Sequence, residues 1–123
     1  METITDKLAQ EYIDIVSKYY PTLKQLLDSC YVKVVDCYLE RSGKRCYYLV
    51  VYCPSKQVKK VYQYYQELKD IAENMGLIEV VVLDVVRIIR DPLSTLKDKN
   101  PRLWLELYWV ATKNHLKWRD IES

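Results

Sequence analysis

Residues 3 to 20 carry Ile4, Leu8, Tyr12, Ile15 and Tyr19 at spacings of three and four, flanked by Ala9, Ile13, Val16 and Tyr20. That period predicts an amphipathic helix, which Thr3 followed by Asp6 can cap. Pro21 cannot continue the ladder, so a second, short helix with Leu23, Leu26 and Leu27 follows to about Ser29. Tyr31 to Glu40 and Arg45 to Cys53 are apolar at nearly every position, the signature of strands covered on both faces. Arg41-Ser42-Gly43-Lys44 joins them, and Gly43 suits a hairpin turn with one left-handed residue.

After Pro54, Ser55 can cap a helix with the stripe Val58, Val61, Tyr62, Tyr65, Leu68, Ala72 and Met75, closed by Gly76. Leu77 to Ile89 is rich in Val and Ile and reads as a third strand with a bend or turn near Asp84. A right-handed crossover sets it parallel to the second strand. Pro92 to Asn100 reads as a loop or a single helical turn. Asn100-Pro101 then opens a helix through Trp104, Tyr108 and Ala111, although Leu103, Leu105, Leu107 and Trp109 alternate as a strand would. The expected class is α/β or α+β: a sheet of three to four strands with helices packed on it. The order is helix, helix, strand, strand, helix, strand, helix, in one domain over residues 1–123 with 101–123 as an interaction arm.

Composition narrows the function. At 123 residues the chain has room for one core. No apolar run reaches a membrane span, since Glu79, Asp84 and Arg87 interrupt the longest. The start, Met1 to Lys7, is amphipathic and acidic, unlike a signal peptide, so a cytoplasmic location is expected. Twelve Tyr, no Phe and only two Gly suggest tyrosine-filled packing and long regular elements, a composition compatible with a hot-environment organism. No phosphate-cradling glycine loop, GxSxG elbow or HExxH pair is present, which argues against nucleotide-dependent catalysis and leaves no cofactor expected.

Four cysteines raise metal and disulfide chemistry. Cys30, Cys37, Cys46 and Cys53 lack CxxC spacing and a neighbouring histidine, which argues against zinc. One antiparallel register sets Cys37 against Cys46 and Cys30 against Cys53, as two disulfides would need. The turn that Gly43 favours, a type I turn with a bulge, shifts the pairing by one and turns Cys37 and Cys46 to opposite faces. That register leaves four buried thiols in a reducing compartment. Cys53, before Pro54-Ser55-Lys56, also lies where a helix dipole would favour its thiolate, and residues 47 to 86 resemble the strand–thiol–helix–strand unit of thioredoxin-like proteins. That resemblance implies thiol redox activity at Cys53, without a resolving cysteine.

A second resemblance covers residues 23 to 89. Their order, with Val34-Val35-Asp36 on one strand and Tyr47-Leu49-Val51 on the next, resembles the restriction-endonuclease-like fold of Holliday junction resolvases and tRNA-splicing endonucleases. The metal-dependent members imply an ion at Asp36, but the second strand offers neither the carboxylate nor the lysine of their motif. Tyr48-Leu49-Val50 resembles the splicing-type strand, whose metal-free chemistry takes Tyr, His and Lys; the only histidine, His115, lies far along the chain. Otherwise Asp36 is a sheet-edge carboxylate paired with Lys33 or Arg45, and His115 is solvated.

Charge and aromatic content favour binding over catalysis. Residues 31 to 76 and 87 to 123 each hold eight basic and five acidic side chains, while the rest is acidic. Arg41, Lys44 and Arg45 at the hairpin tip, with Lys56, Lys59 and Lys60 in the first turns of the next helix, form a candidate nucleic-acid face. Trp104, Tyr108, Trp109 and Trp118 crowd the last twenty residues, more than one helix can bury on a sheet. The expected function is therefore a small non-catalytic intracellular binding protein. It would form a homodimer or a partner complex and bind nucleic acid by its basic face. A nuclease centred on Asp36, a thiol protein using Cys53, and a regulatory or inhibitory protein of an archaeal virus or mobile element are the alternatives.

Overall fold

The computed structural model describes the chain over residues 3–39 and 43–122, with the side chains of residue 39 and of 113–122 outside the description. Helices α1 (Ile4–Tyr19) and α2 (Pro21–Leu27) lead into strands β1 (Tyr31–Leu39) and β2 (Lys44–Cys53). A 3-10 turn (Ser55–Gln57), α3 (Val58–Tyr62) and α4 (Tyr65–Asn74) connect to β3 (Val80–Asp84). Helices α5 (Val85–Arg90), α6 (Leu96–Lys99) and α7 (Pro101–Glu122) complete the chain. The sheet runs β1-β2-β3, with β1 antiparallel and β3 parallel to the central β2. This is the expected α/β class. Among the described residues, no helix is long and apolar enough to cross a membrane.

The helix starts follow the sequence at α1 and α2. Thr3 Oγ1 accepts from Asp6 N at 3.1 Å while Asp6 Oδ2 accepts from Thr3 N at 3.2 Å, and Pro21 occupies the first turn of α2. The Thr3 amide bonded to its carboxylate, and then the Thr3 hydroxyl, hold the Asp6 carboxyl below its ordinary value.

The sheet is covered on both faces. Val34, Leu49, Val51 and Cys53 pack with Tyr12, Val16, Leu23, Leu27, Val61 and Leu68. Val50 and Tyr52 point the other way, to Val85, Leu107 and Val110. The last five residues of β2 are consequently all buried. Tyr12 crosses the first core completely and donates its hydroxyl to the Leu68 carbonyl at 2.8 Å.

Three expectations are corrected. The hairpin register is the one that sets Cys37 opposite Cys46, with Leu39 facing Lys44. The loop therefore holds four residues, and Gly43 takes its left-handed place (φ +65°) at the end of it without shifting the ladder. The helix after Pro54 is broken into a 3-10 turn and two pieces. Ser55 does not cap it, and tyrosines around residues 62 to 65 propagate a helix weakly. Tyr62 lies half exposed rather than in the buried stripe, which Val61, Leu68, Ile71 and Ala72 form. Finally, residues 85 to 90 are helical. β2 leaves the sheet at Pro54 and its register ends at Cys53 opposite Asp84, so beyond Asp84 a third strand has no ladder to join. Asp84 Oδ1 accepts from Val86 N at 3.0 Å and starts α5 instead.

Candidate functional site

Helix α7 begins where Asn100 Oδ1 accepts from Leu103 N at 3.2 Å and Pro101 fills the first helical position. Its buried stripe is Leu107 and Val110, flanked by the partly buried Leu103 and Ala111. Of the helix positions read from the sequence, Ala111 therefore stays at the edge of the core while Tyr108, with Leu105 and Trp109, is rotated away from the sheet. Trp104 stays partly covered, stacked on Tyr108 with ring centroids 5.2 Å apart and with Lys97 Nζ 5.0 Å from its own ring centre. Leu105, Tyr108 and Trp109 are 60%, 47% and 50% exposed. Val86, Ile89 and Arg90 of α5 complete a groove beside Trp104 and Tyr108. Trp118 and His115 lie on the α7 backbone, but their side chains fall outside the described residues.

A polar cleft opens at the start of α7, between Asp6, Tyr31, Lys33, Arg102 and Glu106. Its charges are of both signs, and Asp6 is committed to the α1 cap. Burial, then Glu106 and Asp6, push the Tyr31 phenol up. This is a balanced site with no excess of positive charge for an anion.

The candidate basic residues do not share one patch. Lys44 and Arg45 begin β2, whereas Lys56, Lys59 and Lys60 follow its far end; the rest of the strand, Cys46 to Cys53, separates the groups by about 26 Å. Arg41 lies outside the described residues. Lys59 and Lys60 stand in the last turn of the short α3, so they do not oppose a helix dipole as an N-terminal position would.

The catalytic candidates are likewise dispersed. Asp36 sits opposite Tyr47, and its Oδ2 lies 3.7 Å from Arg45 Nη1 in a solvent-exposed pair. Such pairs contribute little. No group of three or more His, Cys, Asp or Glu gathers as a metal site among the described residues. Cys53 is fully buried and precedes a 3-10 turn rather than a helix N-terminus, which corrects the expectation of a favoured thiolate. The Cys30 contact, burial and Asp84 push its thiol up instead. Cys37 and Cys46 face each other, half-buried, on the opposite side of the hairpin from Cys30 and Cys53.

Asp84 is the polar residue that the sequence reading assigned only to a turn. Besides capping α5, it accepts a 2.7 Å bond from Ser55 Oγ, tying the exit of β2 to the exit of β3. An Asp ending an apolar run was the available signal. No family model, no curated protein and no solved structure matches the chain.

Proposed function

We propose that this chain is a binding protein that works as a homodimer, assembled through the outward face of α7. The observation that carries the reading is the exposure of Leu105, Tyr108 and Trp109 on one stretch of a helix whose other side is already packed. Roughly half of each aromatic surface is open, so the patch offers on the order of 300 Å². That lies at the low end of the roughly 300–600 Å² spanned by the largest apolar patch on a typical monomer, often a functional surface, and it would form the apolar centre of an interface of about 800 Å² per partner.

Spacing favours a second copy as the occupant. Leu105 and Trp109 lie one turn apart, with Arg102 before them and Thr112 after them along the same side of α7. An antiparallel copy related by a two-fold axis seats each Leu105 on the other chain's Trp109 and each Arg102 near Thr112. The parallel arrangement would set Arg102 on its own equivalent. Isologous contacts of this kind are the commonest form of self-association.

Sedimentation equilibrium decides the matter. The wild-type chain is expected at twice its 14.7 kDa mass, and Leu105→Glu/Trp109→Glu at the monomer mass with unchanged circular dichroism. A wild-type monomer at 100 µM, on the order of a weak interface's limit, overturns the proposal. So does a dimer indifferent to the substitutions, which would point to pairing at another surface such as the outer edge of β1.

A further inference from the structure

Two thiols meet where β2 gives way to Pro54. Cys30 stands one residue before β1 and Cys53 is the last residue of β2, so they continue the ladder in which Tyr31 faces Tyr52. Their Sγ atoms lie 3.5 Å apart, with Cys30 donating. The neighbouring ladder identifies the kind of pair. Tyr47 O and Leu49 N bond to Ile78 and Glu79, so alternate residues of β2 from Tyr47 onward aim their backbone groups at β3. Cys53 shares that parity. Facing Cys30 it occupies a non-hydrogen-bonded position, where opposed Cα atoms approach to about 4.5 Å and side chains are closest. That separation lies within the range of about 4.4–6.8 Å that a disulfide bridges.

We propose that Cys30 and Cys53 form an intramolecular disulfide when the protein meets a low-molecular-weight disulfide, stapling the entry of β1 to the exit of β2. Cys30 is half-buried while Cys53 is fully buried, so Cys30 is the sulfur that meets the reagent. As thiolate it attacks one sulfur of RSSR, forming a mixed disulfide and releasing RS⁻, which takes up the proton that Cys30 lost. Cys53 then gives up its proton and attacks Cys30 Sγ, and the second RS⁻ leaves and is protonated. Two protein thiols are oxidised and one RSSR is reduced to two RSH. The Cys30 contact and then burial keep Cys53 protonated, which makes its attack the slower step. Cys37 and Cys46, on the other face, take no part.

The test incubates the full chain with oxidised glutathione. Two of the four thiols should disappear, the mass should fall by about 2 Da without crosslinked dimer, and Tm should rise by roughly 10 °C, reversibly with dithiothreitol. Cys37→Ser/Cys46→Ser should behave as wild type, whereas Cys30→Ser, at a half-buried position that tolerates a hydroxyl, and Cys53→Ala should show no shift. A persistent glutathione adduct, a bridge at Cys37–Cys46, a bridge between two chains, or four unreacted thiols would overturn the assignment. Because the bridge lies within one chain, these readouts are independent of whether α7 dimerises.

Discussion

Replacing Tyr12 by Phe should destabilise the protein at neutral pH and stabilise it in strong base. The side chain is fully buried and its hydroxyl donates to the Leu68 carbonyl at 2.8 Å, joining α1 to α4. Removing one such bond costs about 1 kcal/mol, since the carbonyl stays within α4. For a chain of this length that lowers Tm by about 4 °C. Burial pushes the Tyr12 phenol well above its ordinary value, so the folded state keeps its proton where the unfolded chain ionises near pH 10. The sign follows from linkage. Above pH 10 the unfolded state binds fewer protons, so this group's contribution to stability is complete below that pH and declines as pH rises. At pH 11 the loss is about 1.4 kcal/mol, larger than the hydrogen bond is worth, and the two proteins should cross near pH 10.6, roughly. The phenols of Tyr31, Tyr52 and Tyr65 are raised too, but they are common to both proteins and cancel in the difference. Urea unfolding of both proteins at pH 7 and pH 11, followed by circular dichroism, measures it. A variant equally destabilised at both pH values would refute the assignment of a buried, protonated phenol.

Two further substitutions probe the joints around the site. Asp84→Ala removes both the α5 cap and the partner of Ser55, and should cost about 1–2 kcal/mol in denaturant titrations; an effect below about 0.3 kcal/mol would mean the cap carries no load. Gly76 closes α4 at φ +83° with open space where a Cβ would stand, so Gly76→Ala should cost about 1 kcal/mol from backbone strain alone and Gly76→Asn distinctly less. Equal stability of the two variants would contradict that account.

What could be read in advance was set by local rules. The Thr3–Asp6 capping box, the helix start at Pro21, the positive φ of Gly43 and Gly76 and the Asn100-Pro101 start each depend on a few adjacent residues. The broken helix after Pro54 is a matter of local propensity, but the other errors depend on a partner distant in sequence. The hairpin register is a choice between two pairings one residue apart, and both keep Val34 near Leu49. Val85 and Val86 have the composition of a strand, and only the end of β2 at Cys53 denies them one. The face of α7 that turns inward is chosen by Val50 and Tyr52 on the sheet, which favoured the narrow Leu107–Val110 stripe over the aromatic ones. The separation of Lys44 and Arg45 from Lys56, Lys59 and Lys60 was hidden for the same reason, since it is set by the length of β2.

That choice of face explains why large apolar side chains stay exposed on α7. Three strands at about 4.8 Å spacing present a face about 10 Å wide, the diameter of a single helix. One helix therefore covers it, and α5 beside it closes the flank. The sheet can bury one stripe of α7 and has no further width for Leu105 and Trp109. On the opposite face α1, α2, α3 and α4 share the work, and their apolar stripes are absorbed between them. The imbalance is built into a three-stranded sheet with a long helix rich in tryptophan on one side. Burying that patch on two copies gains hydrophobic free energy, set against the translational and rotational freedom that association costs. Replacing Leu105 and Trp109 by Glu removes most of that gain and sets carboxylates against each other. The double substitution should consequently dissociate the proposed dimer rather than merely weaken it.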